Sequence, residues 1–521
     1  MAPLMDDGTP KAVDVSSDNS YKPRLLIIGA GSRGNAYARA VVDSGLGIVA
    51  AIAEPVEFKR RQLGSQYIWK ESQHTPEQEF TDWKQFIQYE HQRRKDSSAG
   101  IPVPPGVDGA FICVHDEHHI EVLTAIIPLG LHLMAEKPLA TTLQDCLSIQ
   151  SLLLTHPPRI FAIGHVLRYS PHNMLLRHLI REKKVIGEIV SIEHTEPVGW
   201  WHFSHSYVRG HWRKESTTAP SLLTKSCHDI DFILWLLCSP GPDRTTTHLP
   251  TRLSSHGSLK QFRRSQKPVA AGTATNCLSC PLISTCKFSA KRIYHDRHLS
   301  KGLAKWPVEI ANPEVESLLH TSGPVAAESA LFSTLREDYD STNPQSEIDN
   351  RAWYGRCVYE SDNDVVDDQF VTIEWDDSIA TPGSGSKTAN FHMIAQTLAQ
   401  CNRRGVIYGT SGEMIYDSKT ITVNDFESDS TKVYHPEEAK NSHHGGGDDG
   451  LTQCFLEAIR AVKGGVEVEE AQGEWLGVTV EECVRSHAVV FAAEEARVGK
   501  KVVELGEWWD RNVKPSGLVE I

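Results

Sequence analysis

The chain has 521 residues, of which 40% are hydrophobic and 23% charged, with a formal net charge of -14. That length exceeds what one core keeps growing to fill, so two domains with insertions are expected. The acidic balance excludes a nucleic-acid surface, and the short basic runs Arg60-Arg61 and Arg93-Arg94-Lys95 read as solvated faces. No apolar stretch nears the roughly 20 residues that span a bilayer. Residues 1–20, with Asp6, Asp7, Asp14 and Asp18, lack the basic and apolar regions of a secretion signal, so the expectation is a cytoplasmic protein with a disordered leader.

In chain order, the apolar strand Leu25 to Ile28 runs into Gly29-Ala30-Gly31-Ser32-Arg33-Gly34 and then into a helix-compatible sequence. This spacing predicts a dinucleotide-binding turn. Its first glycine makes the tight turn, its second lets amides approach a pyrophosphate, and its third lets helix and strand pack closely. A second strand, Ile48 to Ala53, ends in Glu54, twenty residues past Gly34, where a carboxylate would accept from a ribose 2'-hydroxyl. A carboxylate there repels a 2'-phosphate and favours NAD over NADP, although Arg60 and Arg61 are close enough in sequence to supply compensating charge.

Strands are also expected at Gly109 to Val114 and His132 to Ala135, giving a mostly parallel sheet, with polar Gln66 to Pro105 as a surface insertion. Beyond residue 160 the pattern changes to helices (Asn173 to Lys183, Leu222 to Leu237) and alternating strands (Glu188 to Pro197, Gln369 to Trp375, Met393 to Gln400, Ile421 to Val423). Two closing helices are expected over Gly450 to Val462 and Gly473 to Gly499. The fold class is α/β: a nucleotide-binding domain over 21–165, then an α+β substrate domain over 166–510, with a cysteine-rich insertion at about 245–350. Three of the 11 cysteines cluster as Cys277-x2-Cys280-x5-Cys286. In a reducing compartment this spacing points to tetrahedral zinc, with Cys357 as fourth ligand and His295 as the alternative. The zinc would be structural, organising an insertion that buries little surface of its own.

Several ordered motifs resemble the glucose-fructose oxidoreductase/inositol dehydrogenase (Gfo/Idh/MocA) family. They are the G-x-G-x-x-G turn, Glu54, the turn Asp116-Glu117-His118-His119, the strand end Glu136-Lys137-Pro138, Gly164 to Pro171, and the helix bearing His228-Asp229-Ile230-Asp231. The resemblance spans nearly all of residues 24 to 510. It implies a Rossmann domain followed by an α+β domain with a large open, mostly antiparallel sheet, NAD(P) between them, and a sugar, sugar acid or cyclitol as substrate. It assigns catalysis to Lys137 and His228. Cofactor contacts fall to Gly29, Gly31, Ser32, Arg33, Gly34, Glu54, His115, Glu136 and Lys137. Substrate contacts fall to Arg168, Tyr169, Lys225 and Asp229. The aromatic, donor-rich segment 200–213, with Arg209 and Trp212, either lines the substrate pocket or packs against the sheet, and His443-His444 offers a second substrate loop.

One departure stands out. The family's aspartate four residues before the histidine is here Thr224, so its role passes to Asp229 or is replaced by a second cation at Lys225. An NAD-dependent oxidoreductase is therefore expected. Its rivals are an NAD-dependent glycosidase using transient oxidation and elimination, and a non-catalytic nucleotide-binding regulator. A homo-oligomer is left open.

Overall fold

The computed structural model describes residues 21–70, 72–238, 247–377, 385–436 and 444–514. The leader expected over residues 1–20 lies outside the described residues, as does His443. The first sheet comprises β1 (Arg24–Ile28), β2 (Ile48–Ala53), β3 (Glu79–Phe80), β4 (Gly109–Ile112), β5 (His132–Ala135) and β6 (Phe161–Ile163). Its order is β3-β2-β1-β4-β5-β6 and every pairing is parallel. Chain order reverses between β1 and β4, which opens a crevice at the carboxyl ends of the strands. The strands are near-continuous apolar runs, as burial on both faces requires.

The stretch Gln66 to Pro105 is not the surface insertion expected. It supplies edge strand β3 and the helix Trp83–Ser98, started by Asp82 accepting from the Gln85 amide. The helix is polar enough to read as a loop because it buries only Phe86 and Glu90, the latter held by Arg93 and Arg94.

The second sheet comprises β7 (Ile189–Pro197), β8 (Arg252–Ser258), β9 (Asp368–Trp375), β10 (Lys387–Ile394), β11 (Arg404–Gly409), β12 (Gly412–Tyr416), β13 (Ile421–Asp425), β14 (Ser430–Tyr434) and β15 (Val502–Glu504). Its order is β14-β13-β12-β11-β7-β10-β9-β8-β15, with only β7 and β10 parallel. This is the large, mostly antiparallel sheet expected. The strand looked for at Met393 to Gln400 instead ends at Ile394, its apolar residues being the last of β10. Helix Ser221–Leu237 is buried along its whole length, packed between β7 and β10 on one side and helix Val480–Gly499 on the other. That last helix begins later than expected, because Gly477 turns left-handed (φ +61°) and Thr479 with Glu482 forms a capping box.

The cysteine-rich insertion does not lack apolar burial. Ile293, Tyr294, Val308, Val315, Leu331 and Leu335 form a second core there, separate from the one shared by the two sheets. Helices Glu314–Thr321 and Pro324–Arg336 pack on each other to make it. Among the described residues no helix is long and apolar enough to cross a membrane.

Candidate active site

The turn after β1 has the geometry of a phosphate cradle. A Cβ on Gly29 (φ +97°) would lie 2.4 Å from the Cys113 carbonyl oxygen, and one on Gly34 would lie 1.9 Å from the Gly29 oxygen. Both positions exclude any side chain. Nothing lies within 4 Å of a Cβ built on Gly31, so the middle of the turn faces open space. Helix Ser32–Ser44 begins there with no side-chain cap and no acidic residue in its first turn, which leaves its amides and positive dipole end for an anion. A dinucleotide fits this cradle.

Glu54 lies against the turn, its Oε2 accepting from the Ala30 amide at 2.7 Å and its Oε1 from the Val56 amide at 2.8 Å. Arg60 is committed elsewhere, donating to Glu79 at 2.9 Å and to the Glu54 carbonyl at 2.7 Å, and Arg61 pairs with Glu57. Arg33 ties the turn to the rest of the chain. Its Nε donates to Glu136 at 2.7 Å and its Nη2 to Asp448 at 2.8 Å. Burial alone would raise the Glu136 carboxyl, but Arg33 and the Tyr37 hydroxyl outweigh it and the net shift is downward. His115 follows β4 and packs edge-on against His211 at 4.3 Å, while Trp212 Nε1 donates to Asp116 at 2.8 Å.

Lys137 follows β5 at the same sheet end, its Nζ donating to the Thr224 carbonyl at 2.5 Å. Thr224 thus contributes its backbone where an aspartate side chain is usual in the resembling family. One helical turn on, His228 is 2% exposed, with its Nε2 2.6 Å from Arg403 Nη2 and 3.2 Å from Asp229 Oδ2. Burial, with Arg403 beside the ring, holds the imidazole well below its ordinary titration despite Asp229. Asp229 also accepts from Arg403 Nε at 2.6 Å and contacts His194 Nε2 at 2.9 Å. Burial raises its carboxyl, yet Arg403 and His228 overcome this and keep it ionised. Lys225 sits 3.1 Å from Glu196 and 3.1 Å from Cys401. Those two neighbours outweigh burial and hold its ammonium charged. Glu196 also takes Arg403, at 2.7 Å.

The structure therefore gathers Lys137, Lys225, His228 and Asp229, and adds Glu196, Arg403, Cys401 and His194, which the motifs did not single out. Glu196 had a signal in the sequence: with Ile192 and His194 it occupies the inward positions of β7, where a buried acid calls for a partner. His444 reaches the same cluster, its ring 6.3 Å from His228 and its Nδ1 3.3 Å from Asp448. Arg168 and Tyr169 lie outside it. Arg168 forms a buried bidentate pair with Asp231 at 2.7 Å, and the Tyr169 hydroxyl donates to the Leu476 carbonyl.

Arg209 is likewise elsewhere, beside the cysteines. Its guanidinium is fully buried and donates to the Arg356 and Phe288 carbonyls and to Cys277 Sγ at 3.3 Å. It has no carboxylate partner among the described residues. Cys277, Cys280, Cys286 and Cys357 line one cavity. An antiparallel bridge between Asn276 and Arg356 sets Cys357 beside Cys277, and the Leu282 amide donates to Cys280 Sγ at 3.4 Å. His295 does not line that cavity; its two ring nitrogens contact Asp296 and Glu328.

Residues 23–164 match the model of an oxidoreductase family with an NAD-binding Rossmann fold, GFO_IDH_MocA. Inositol 2-dehydrogenase 1 of Saccharopolyspora erythraea is 28% identical over 156 residues, 30% of this chain and 42% of the relative. The rhizopine catabolism protein MocA of Rhizobium meliloti is 25% identical over 159 residues, again 30% and 42%. The chain thus spans about two fifths of the length of these curated relatives. Among solved structures, levoglucosan dehydrogenase with NADH and levoglucosan superposes with a TM-score of 0.57 at 14% identity, covering 93% of this chain and 99% of that one. A putative myo-inositol dehydrogenase from Sinorhizobium meliloti 1021 gives 0.52 at 13%, with 93% and 99% covered. At such identities the likeness carries the fold.

Proposed function

We propose that this chain, whose residues 23–164 match the model of the Gfo/Idh/MocA oxidoreductase family, oxidises a secondary hydroxyl of a sugar, sugar acid or cyclitol with NAD. The carrying observation is the convergence of Lys137, Lys225, His228 and Arg403 at the sheet end that also holds the Gly29 to Gly34 cradle. When bound, the nicotinamide supplies the hydride acceptor. Gly29, Gly31, Ser32, Gly34 and Glu54 would hold the dinucleotide, with Arg33 and Glu136 bracing the turn and His115 on the neighbouring loop. Lys137 then handles the hydroxyl proton, and the surrounding cations stabilise a developing alkoxide. The commitment of Arg60 to Glu79 supports NAD over NADP. In this reading residues 21–165 form the nucleotide domain, 166–510 the substrate domain, and the protein works in the cytoplasm.

The test is a panel of sugars, cyclitols, sugar acids and aryl glycosides with NAD, following reduced cofactor and aglycone together. NADH accumulating with a hydroxyl substrate is expected. Aglycone release without net NADH would instead make it a glycosidase, and NAD binding with no turnover on any substrate would make it a regulator.

The cysteine cavity is read as a structural zinc site, Cys277, Cys280, Cys286 and Cys357 being the ligands. Buried Arg209 supports this reading, because a tetrathiolate zinc carries net negative charge and such a guanidinium needs a counter-charge. One zinc per chain is expected by elemental analysis, and Cys357→Ser should lower the content. Zinc-free protein would overturn the site, and unchanged zinc in the variant would overturn the fourth ligand.

A further inference from the structure

Arg403 decides what His228 can do. A guanidinium has only N–H groups and keeps its charge in proteins, so at 2.6 Å it can only donate to His228 Nε2. Nε2 must therefore be the unprotonated, accepting nitrogen. The carboxylate oxygen Asp229 Oδ2 at 3.2 Å is the competing partner. Were Nε2 to carry a hydrogen toward it, that N–H would sit against an arginine N–H at the shorter distance. Asp229 does not need the ring, since it already receives Arg403 and His194. The second nitrogen, Nδ1, is buried and has no hydrogen-bond partner among the described residues. An unsatisfied buried polar atom of this kind calls for a role.

We infer that Arg403 fixes His228 as the Nδ1–H tautomer, so that His228 donates a hydrogen bond to the substrate oxygen and Lys137 takes the proton. This rests on the dehydrogenase reading of the site. The hydroxyl O–H bond breaks and its proton goes to the Lys137 amine; the C–H electron pair leaves with hydrogen to the nicotinamide; and the C=O double bond forms. His228 keeps its own proton throughout and stabilises the oxygen as charge develops. Arg403 is a positioning residue. It immediately precedes β11, where Arg404 pairs with Thr195 of β7, and so it is presented to Glu196 and Asp229 from the sheet side. The charged and titratable groups around the ring are Asp229 beside it on the helix, Arg403 from the sheet, Lys137 from the first domain, and His444 with Asp448 behind it.

Asparagine is the discriminating substitution, since its amide nitrogen can occupy the place of Nδ1 and donate but cannot act as a base. In the full-length enzyme with NAD and a hydroxyl substrate, His228→Asn is expected to keep turnover within about tenfold of wild type. His228→Ala should lose roughly two to three orders of magnitude. The acid limb of the pH profile of kcat/KM should persist in His228→Asn. An asparagine variant as slow as the alanine one, or loss of that limb, would overturn the inference. A readout independent of turnover is the ring 15N spectrum of histidine-labelled protein, with the His228 signal identified by its absence in the variant. A protonated Nδ1 and bare Nε2 that do not titrate from about pH 6 to 9 are expected. An Nε2–H signature, or titration in that range, would overturn it even if no substrate were turned over.

Discussion

The nucleotide turn and the cluster around His228 both depend on charged side chains, yet they are assembled in opposite ways. The turn is written in one stretch of chain: residues 29 to 34 fold on themselves, their backbone makes the cradle, and the glycines are required by contacts of their own neighbours. The cluster draws Lys137, Glu196, Lys225, His228, Asp229 and Arg403 from segments far apart, and Glu196, Lys225, Asp229 and Arg403 are held by one another's charge. A site made of backbone tolerates loss of a side chain locally, whereas a site made of buried ion pairs leaves the surviving partner stranded.

The largest effect expected from that contrast is on chemistry. Lys137→Ala should cut turnover by about two to four orders of magnitude while NAD titration stays near wild type. Retained turnover would remove Lys137 from the reaction. Arg403→Met should cost about 3–5 kcal/mol of stability in denaturant unfolding, because Asp229 would be left buried without its arginine and Glu196 with Lys225 alone. A loss under about 1 kcal/mol would mean that other cations already neutralise the cluster.

Acid should separate the two halves. Burial, with Arg209 beside one ring and His165 beside the other, lowers His205 and His487 to about 3. The folded state therefore binds their protons less readily than the unfolded chain. Their contribution is intact above the unfolded value near 6.5 and is lost as pH falls from there toward 3, by up to about 1.4 kcal/mol per pH unit for each group. Both lie in the second half, as do His228 and His202, lowered by burial too. Hydrogen exchange near about pH 5 should accordingly loosen the second sheet before the first. The opposite order would sink this account. Smallest is the effect at the turn itself: Glu54→Ala should narrow the preference for NAD over NADP by about 1.5 kcal/mol, read from paired binding titrations. A wild-type preference for NADP would detach Glu54 from the ribose.

The same contrast governs what the amino-acid sequence discloses. Strands β1, β2, β5 and β7 stand within a residue of their expected limits because apolar runs and glycines are local signals. Lys137 and His228 were identifiable through short motifs. Arg403 was not, since nothing near Arg403-Arg404 marks one of them as buried; only the pairing of β11 with β7 does that. Strand β8, rich in serine and glycine, and the three-residue β15 carry no apolar alternation, so their places in the sheet come from tertiary pairing. The insertion looked coreless because its apolar residues are spaced across several short helices, which bury them only when packed together.

The bond from Arg33 to Asp448 joins residues 415 positions apart. During synthesis, the turn near the amino end emerges early, but its Arg33 waits for Asp448 until helix Gly447–Lys463 has left the ribosome and docked against it. A chain halted in its second half would present Arg33 and Glu136 without their third partner. A shortened translation product would thus lack one of the two carboxylates that hold Arg33 in place.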